Sequence, residues 1–189
     1  LKTSDATIAD DYPAASVLFA DVVDFTPMSS GMEPAELVGL LDEVFSAIDE
    51  LVDDRDLEKI KTIGDAYMVA AGVPEPRDDH AEILCDLALA IHDLTATTRF
   101  SGHRIQMRIG VNSGPVVAGI IGTRKFSYDL WGDTVNTASR MESSAGHGAI
   151  RITAATRNLV ADHFVCEPEG AADIKGKGSM EVWRLVGRR

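Results

Sequence analysis

Leu57-Glu-Lys-Ile-Lys-Thr-Ile-Gly-Asp-Ala-Tyr-Met-Val-Ala-Ala71 is the stretch on which the fold turns. Residues 57–63 alternate imperfectly and residues 66–71 form a more apolar run, so each half reads as a strand. Gly64-Asp65 between them is a short hairpin signal, and Gly72-Val-Pro-Glu-Pro76 ends the second strand. Upstream, residues 33–53 keep Leu37, Leu40, Leu41, Val44, Phe45, Ile48 and Val52 on one helical face. Ahead of that helix, Ala15-Ser-Val-Leu-Phe-Ala20 is an apolar strand that stops at Asp21, and Asp24-Phe-Thr-Pro27 breaks away from it. Downstream, a second amphipathic helix covers about 79–98, with Ile83, Leu84, Leu87, Ile91 and Leu94 inward. Strands at 104–112 and 115–121 then bracket Ser113-Gly114, read as a turn. The order β-α-β-β-α-β predicts an α+β fold with a ferredoxin-like core.

The remainder adds further strands and helices to that core. Arg124-Lys-Phe-Ser-Tyr128 reads as a short strand or an arm, and 133–144 as a helix with Val135, Ala138 and Met141 inward. Short strands are expected at 149–152 and 163–167, either side of a helical turn at 154–161. Ile174-Lys-Gly-Lys-Gly178 reads as a flexible loop and 180–186 as a closing strand. Residues 1–14 are polar and acidic, a lead-in to one domain over 15–189.

The chain has 189 residues, 30 acidic side chains against 18 Lys and Arg, and a formal net charge of −12. With 45% hydrophobic residues it can build a core and is no disordered tail. A field this negative argues against a nucleic-acid partner, which needs a positive footprint. A small anion held by local donors and metals stays open. Cys85 and Cys166 form neither a disulfide framework nor a metal spacing, and Cys85 falls in the apolar phase of its helix, where a buried thiol is expected. The strongest apolar stretch, Val116-Val-Ala-Gly-Ile-Ile121, is far short of a membrane span, and there is no secretory leader. The chain does not open on Met and reads as an excised domain whose anchors and regulatory domains lie elsewhere. A cytoplasmic location is expected, or the cytoplasmic face of a membrane if the parent is anchored.

Two carboxylates at strand-edge turns, Asp21 and Asp65, carry the sharpest chemical signal. If the first strand lies beside the hairpin, they converge, and hard divalent ions are held by one or two carboxylates plus substrate phosphates. The plainer reading is an Asp before a turn and a Gly-Asp that merely shapes a hairpin. Asp24 is a third candidate or a cap. Asp21-Val-Val-Asp-Phe-Thr26 presents successive backbone N–H groups that can cradle phosphate oxygens, although it is no Walker A sequence. Asn136 and Arg140, four apart, share a helix face suited to a ribose and a phosphate, or else cap and pair at the surface. Asp129 can accept from an amine. Lys61 either protects a strand edge or donates to a purine acceptor. Lys175 and Lys177 form a basic loop that can clamp phosphate or simply be solvated, and His80 reads as a surface cap or ion-pair member.

Taken together, five runs in order resemble the catalytic domain of class III nucleotidyl cyclases, more closely the adenylate cyclase branch, from about Ser16 to Val186. They are Phe19-Ala-Asp-Val-Val-Asp-Phe-Thr26, Glu58-Lys-Ile-Lys-Thr-Ile-Gly-Asp-Ala-Tyr67, Arg108-Ile-Gly-Val-Asn-Ser-Gly114, Tyr128-Asp-Leu-Trp-Gly-Asp-Thr-Val-Asn-Thr-Ala-Ser-Arg-Met141 and Ile174-Lys-Gly-Lys-Gly178. The resemblance implies conversion of ATP to 3′,5′-cyclic AMP and pyrophosphate. It implies that Asp21, Asp65 and the carbonyl of Val22 hold two Mg²⁺ or Mn²⁺ ions per site, and that amides of Val22, Val23, Asp24, Phe25 and Thr26 receive phosphates. Lys61 and Asp129 take the adenine-selecting positions, usually Glu and Cys or a similar residue in guanylate cyclases. Asn136 would orient the ribose, Arg140 would meet charge on the α-phosphate, and Lys175 would bind the triphosphate. Asp24 stands where many members carry Gly. The family works as a head-to-tail homodimer with its sites at the interface, so Asp21 and Asp65 of one chain would serve with Lys61, Asp129, Asn136 and Arg140 of the other. Two alternatives accompany this expectation: a guanylate cyclase, and a catalytically silent nucleotide-binding dimerisation domain.

Overall fold

A computed structural model describes residues 8–122 and 126–189. The element order is β1 (Ile8–Val22), α1 (Phe25–Ser29), α2 (Pro34–Asp53), β2 (Glu58–Ile63), β3 (Ala66–Ala71), α3 (His80–Thr97), β4 (Met107–Ile121) and β5 (Ser127–Trp131). It continues with α4 (Asp133–Ser144), β6 (Ile150–Thr153), α5 (Ala154–Val160), β7 (Phe164–Ile174) and β8 (Gly178–Arg188). The strands form one sheet in the order β2-β3-β1-β4-β6-β8-β7, with β5 paired to the far end of β4. Its β2-β3-β1-β4 part is antiparallel throughout and is the ferredoxin-like core, extended by the later strands and helices.

Alternation along β1 sorts the two faces. Leu18, Ala20 and Val22 join the main core with Leu40, Val44 and Ile48 of α2 and Leu84, Leu87 and Ile91 of α3. Ala15, Val17 and Phe19 face the other way, toward Met68, Leu130 of β5 and Ala138 of α4. Asp21 has the parity of Phe19, so it stands on the face that α2 and α3 leave uncovered. Among the described residues no helix is long and apolar enough to cross a membrane.

Three departures from the sequence reading have physical causes. First, β1 begins at Ile8, so residues 8–14 of the expected lead-in are strand; residues 1–7 lie outside the described residues. Residues 9–11 are exposed, and pairing with β4 is a backbone matter that leaves no apolar period to read. A register shift between Tyr12 and Ala15 accommodates Pro13, which has no N–H to donate. Second, Ser113-Gly114 is no turn: β4 runs unbroken, with Ser113 opposite Ser16 and Gly114 opposite Ala15. Gly114 is small because a Cβ there would stand 2.7 Å from Thr134 Oγ1, and Thr134 donates to the Pro115 carbonyl at 2.7 Å. Third, the strand expected at 124–128 is β5, shifted to Ser127–Trp131; 123–125 lie outside the described residues.

His80 is likewise no surface cap. It is buried at the start of α3, its Nδ1 2.8 Å from Ser16 Oγ, which lies 2.6 Å from Ser113 Oγ. The chain of buried hydroxyls continues to Thr156 at 3.0 Å. Close by, Asn112 accepts from Thr153 Oγ1 at 2.7 Å and donates to the Thr134 carbonyl in the first turn of α4 at 3.0 Å. Buried polar groups thus find partners, and one of them pins the helix that carries Asn136 and Arg140.

Candidate active site

Asp21, next to last in β1, stands opposite Ala66 of β3, and Asp65 occupies the turn directly before Ala66. The hairpin therefore delivers Asp65 to the neighbourhood of Asp21, close enough for the two carboxyls to repel. Burial, then the neighbouring Asp21 carboxyl, pushes the Asp65 carboxyl up to about 6, against the pull of Arg108. Arg108, opposite Asp21 on β4, donates from Nη2 to Asp21 Oδ2 at 2.8 Å. Its Nε lies 3.2 Å from Oε1 of buried Glu142 on α4. Burial, then the charge of Asp21, pushes Glu142 up to about 7 although Arg108 opposes this.

Two carboxyls thus pair with one guanidinium while a third lies nearby, a cluster short of positive charge. Two neighbouring carboxylates suit a hard dication that takes its other ligands from phosphate and water, and the donor set fits Mg²⁺ or Mn²⁺. Among the described residues no group of three or more His, Cys, Asp or Glu forms a closed metal cage. An open pair of this kind would need the substrate to complete a metal's ligand shell.

The phosphate segment is partly committed. Val22 is buried at the strand end, and the Val23 amide donates to the Gln106 carbonyl at 2.9 Å. Val23 therefore does not offer the amide that the sequence reading assigns to phosphate, because backbone pairing continues to Val23, three residues past the apolar run that ends at Ala20. Asp24 is left-handed at φ 54° and precedes α1, whose first amides, Phe25 and Thr26, have no acceptor within the helix. The glycine common at this position in the family matches that backbone conformation.

Lys61 of β2 and Asp129 of β5 form an ion pair. Asp129 is nearly buried, and its other oxygen accepts the Leu130 amide at 2.8 Å. Asn136 and Arg140 are exposed on the outer side of α4. Glu142 is two residues, some 200° of helical rotation, beyond Arg140, so the face holding Glu142 against Arg108 turns Arg140 away from Asp21. One chain therefore assembles the carboxylates and the Lys61–Asp129 pair, and leaves Asn136 and Arg140 pointing outward. At the β7–β8 turn Lys175 is exposed, whereas Lys177 pairs with Asp133 at the start of α4.

Arg108 and Glu142 are functional candidates that the sequence reading left without a role. A signal existed: Glu142 is four residues after Ala138 and next to Met141, on the buried side of its helix, where a carboxylate needs a partner.

The family described as Adenylate and Guanylate cyclase catalytic domain matches residues 8–187. An adenylate cyclase of Mycobacterium tuberculosis is 49% identical over 183 residues, covering 96% of this chain; the chain spans 41% of that relative's length. Among solved structures, the guanylate cyclase domain of RhGC from Catenaria anguillulae in complex with GTP superposes with a TM-score of 0.93 at 36% identity, covering 95% of this chain and 100% of that one. The catalytic core of a rhodopsin-guanylyl cyclase with converted specificity, in complex with ATPαS, gives 0.92 at 38%, covering 95% and 98%. Sequence match and superposition span the elements that carry Asp21 and Asp65 and those that carry Lys61 and Asp129, and the chain belongs to the class III nucleotidyl cyclase catalytic domain family.

Proposed function

We propose that this domain is an adenylate cyclase, forming 3′,5′-cyclic AMP and pyrophosphate from ATP at the interface of a head-to-tail homodimer. The observation that carries the reading is the Lys61–Asp129 ion pair, which in a head-to-tail dimer would read the base of the nucleotide held by the other chain's Asp21 and Asp65. An ammonium and a carboxylate side by side match adenine, which offers an acceptor at N1 and a donor at its 6-amino group.

In the reaction the ribose 3′-oxygen attacks the α-phosphorus, the bond to pyrophosphate breaks, and the 3′-hydroxyl proton leaves to water or a substrate phosphate. Asp21, Asp65 and the Val22 carbonyl would hold two Mg²⁺ or Mn²⁺ ions, which when bound supply positive field to acidify the hydroxyl and neutralise the triphosphate. Asn136 orients the ribose. Arg140 meets the charge that grows on the α-phosphate, where a preoriented donor counts most. Lys175 and the amides of Asp24, Phe25 and Thr26 hold the phosphate chain, so positioning replaces covalent catalysis.

The outward face of Asn136 and Arg140 supports the homodimer: a second copy, related by a two-fold axis, supplies what each chain turns away from its own carboxylates. The domain would act in the cytoplasm or at the cytoplasmic face of a membrane, within a longer protein carrying regulatory or membrane domains.

A second reading, guanylate cyclase, is favoured by the close superposition on a domain solved with GTP. Guanine O6 can accept from Lys61, while N1 and the 2-amino group need acceptors, of which Asp129 supplies one. Initial rates with ATP and GTP on one preparation separate the two readings. Equal or greater turnover of GTP would overturn the first. Product formation abolished by Asp65→Ala excludes the silent alternative.

A further inference from the structure

One guanidinium at the candidate site is shared by two carboxylates, hydrogen-bonded to one and only ion-paired with the other. Arg108 Nη2 bonds to Asp21 at 2.8 Å, while its Nε stands 3.2 Å from Glu142 Oε1 out of hydrogen-bonding alignment. The Arg108 Nε and the Glu142 Oε1 are both buried and face only each other, an ion pair without an aligned hydrogen bond. Such atoms are costly unless another state of the molecule pairs them. Glu142 cannot move away, because its helix lies directly on β4: a Cβ on Gly110 would stand 2.0 Å from the Glu142 amide nitrogen.

We propose that Arg108 is a displaceable counter-ion: it neutralises Asp21 while no metal is present and transfers to Glu142 when a dication arrives. A dication between Asp21 and Asp65 repels the guanidinium and takes the oxygen it holds. The displaced group needs a carboxylate within reach, and Glu142 needs only a small reorientation of the guanidinium to accept from Nε. Arg108 is thus a positioning residue that acts through Asp21, and Glu142 is its parking acceptor. Transfer also exchanges an unaligned contact for a hydrogen bond between β4 and α4, so metal loading tightens the helix that carries Asn136 and Arg140. The inference rests on the proposed metal role of Asp21 and Asp65.

The test is direct Mn²⁺ titration of the nucleotide-free protein, following free Mn²⁺ by electron paramagnetic resonance. Removing the competing cation in Arg108→Gln is expected to tighten Mn²⁺ binding about tenfold. Glu142→Gln, which leaves Arg108 nowhere to go, is expected to weaken it about fivefold. In the Arg108→Gln background the Glu142→Gln change is expected to cost less than about twofold, because nothing remains to be parked. A simple field effect of Glu142 would instead weaken binding equally in both backgrounds, and that result overturns the proposal. So does an Arg108→Gln protein that binds Mn²⁺ no more tightly than the original. Should Arg108→Gln fail to fold, Arg108→Lys replaces it: a point charge lacks the fork to reach both carboxylates, and the same loss of coupling to Glu142 is expected. Mn²⁺ binding that survives Asp21→Asn removes the metal reading and this inference with it. Binding lost in Asp21→Asn but indifferent to Arg108 and Glu142 removes the inference alone.

Discussion

Lys61 and Asp129 lie 68 residues apart in the chain and form an ion pair between β2 and β5. Neither strand neighbours the other in the sheet order, so the pair bridges an open face rather than a ladder. Lys61 is 35% exposed, so solvent screens the pair and it adds little to stability, which leaves its two partners available to a planar base.

Removing one partner should therefore show in catalysis more than in folding. Lys61→Ala is expected to lower kcat/KM for ATP by about 10- to 100-fold, the loss of one hydrogen bond from a charged group. The double change Lys61→Glu with Asp129→Cys is expected to raise GTP turnover relative to ATP. Initial rates with both nucleotides check each outcome.

Arg140→Ala is expected to cost about 10²- to 10³-fold in kcat with little change in KM, since the charge it meets appears on the way to product. The dimer makes a sharper demand. Arg140→Ala and Asp65→Ala chains, each inactive alone, should recover about a quarter of full activity when mixed equally, because half the dimers are mixed and each mixed dimer has one intact site of two. No recovery after subunit exchange would mean that a single chain supplies both residues.

Asp65 and Glu142 both titrate above their ordinary range, at about 6 and about 7. For carboxyls raised in the fold, the contribution to stability is fully present below about pH 4 and is lost as pH rises through those values. Metal-free protein is therefore expected to melt lower at pH 8 than at pH 5 through these groups. Because Asp65 is only partly buried, the shift should not exceed about 2–4 °C. Mn²⁺ should raise the melting temperature more at pH 8 than at pH 5, and Asp65→Asn should flatten the metal-free dependence. Melting curves at the two pH values measure all three.

Gly110→Ala places a methyl 2.0 Å from the Glu142 amide nitrogen and 2.5 Å from the Ala138 carbonyl oxygen. Neither backbone can yield without lifting α4, and a loss of about 3 kcal/mol or more is expected in denaturant unfolding. Any folded fraction should lose activity, because Asn136 and Arg140 move with the helix.

By itself the sequence determined the elements whose burial is periodic. The α2 period, the Gly64-Asp65 hairpin, the α3 face and the 133–144 helix all lie where their apolar spacing puts them, because burial on one face writes a repeat of 3.6 or 2 into the chain. It also carried the ordered motifs that mark the family. Only the tertiary structure decided the rest. The Ile8–Tyr12 arm and the unbroken β4 are held by backbone pairing, which needs no particular side chain. The contacts among Asp21, Asp65, Arg108 and Glu142 join four separate segments, and no local spacing records a charge that is neutralised from far along the chain. Nor does the spacing of Asn136 and Arg140 say which way their shared face looks. That follows from where Gly110 and Gly114 let α4 settle on the sheet, and it turns the pair away from the carboxylates of its own chain.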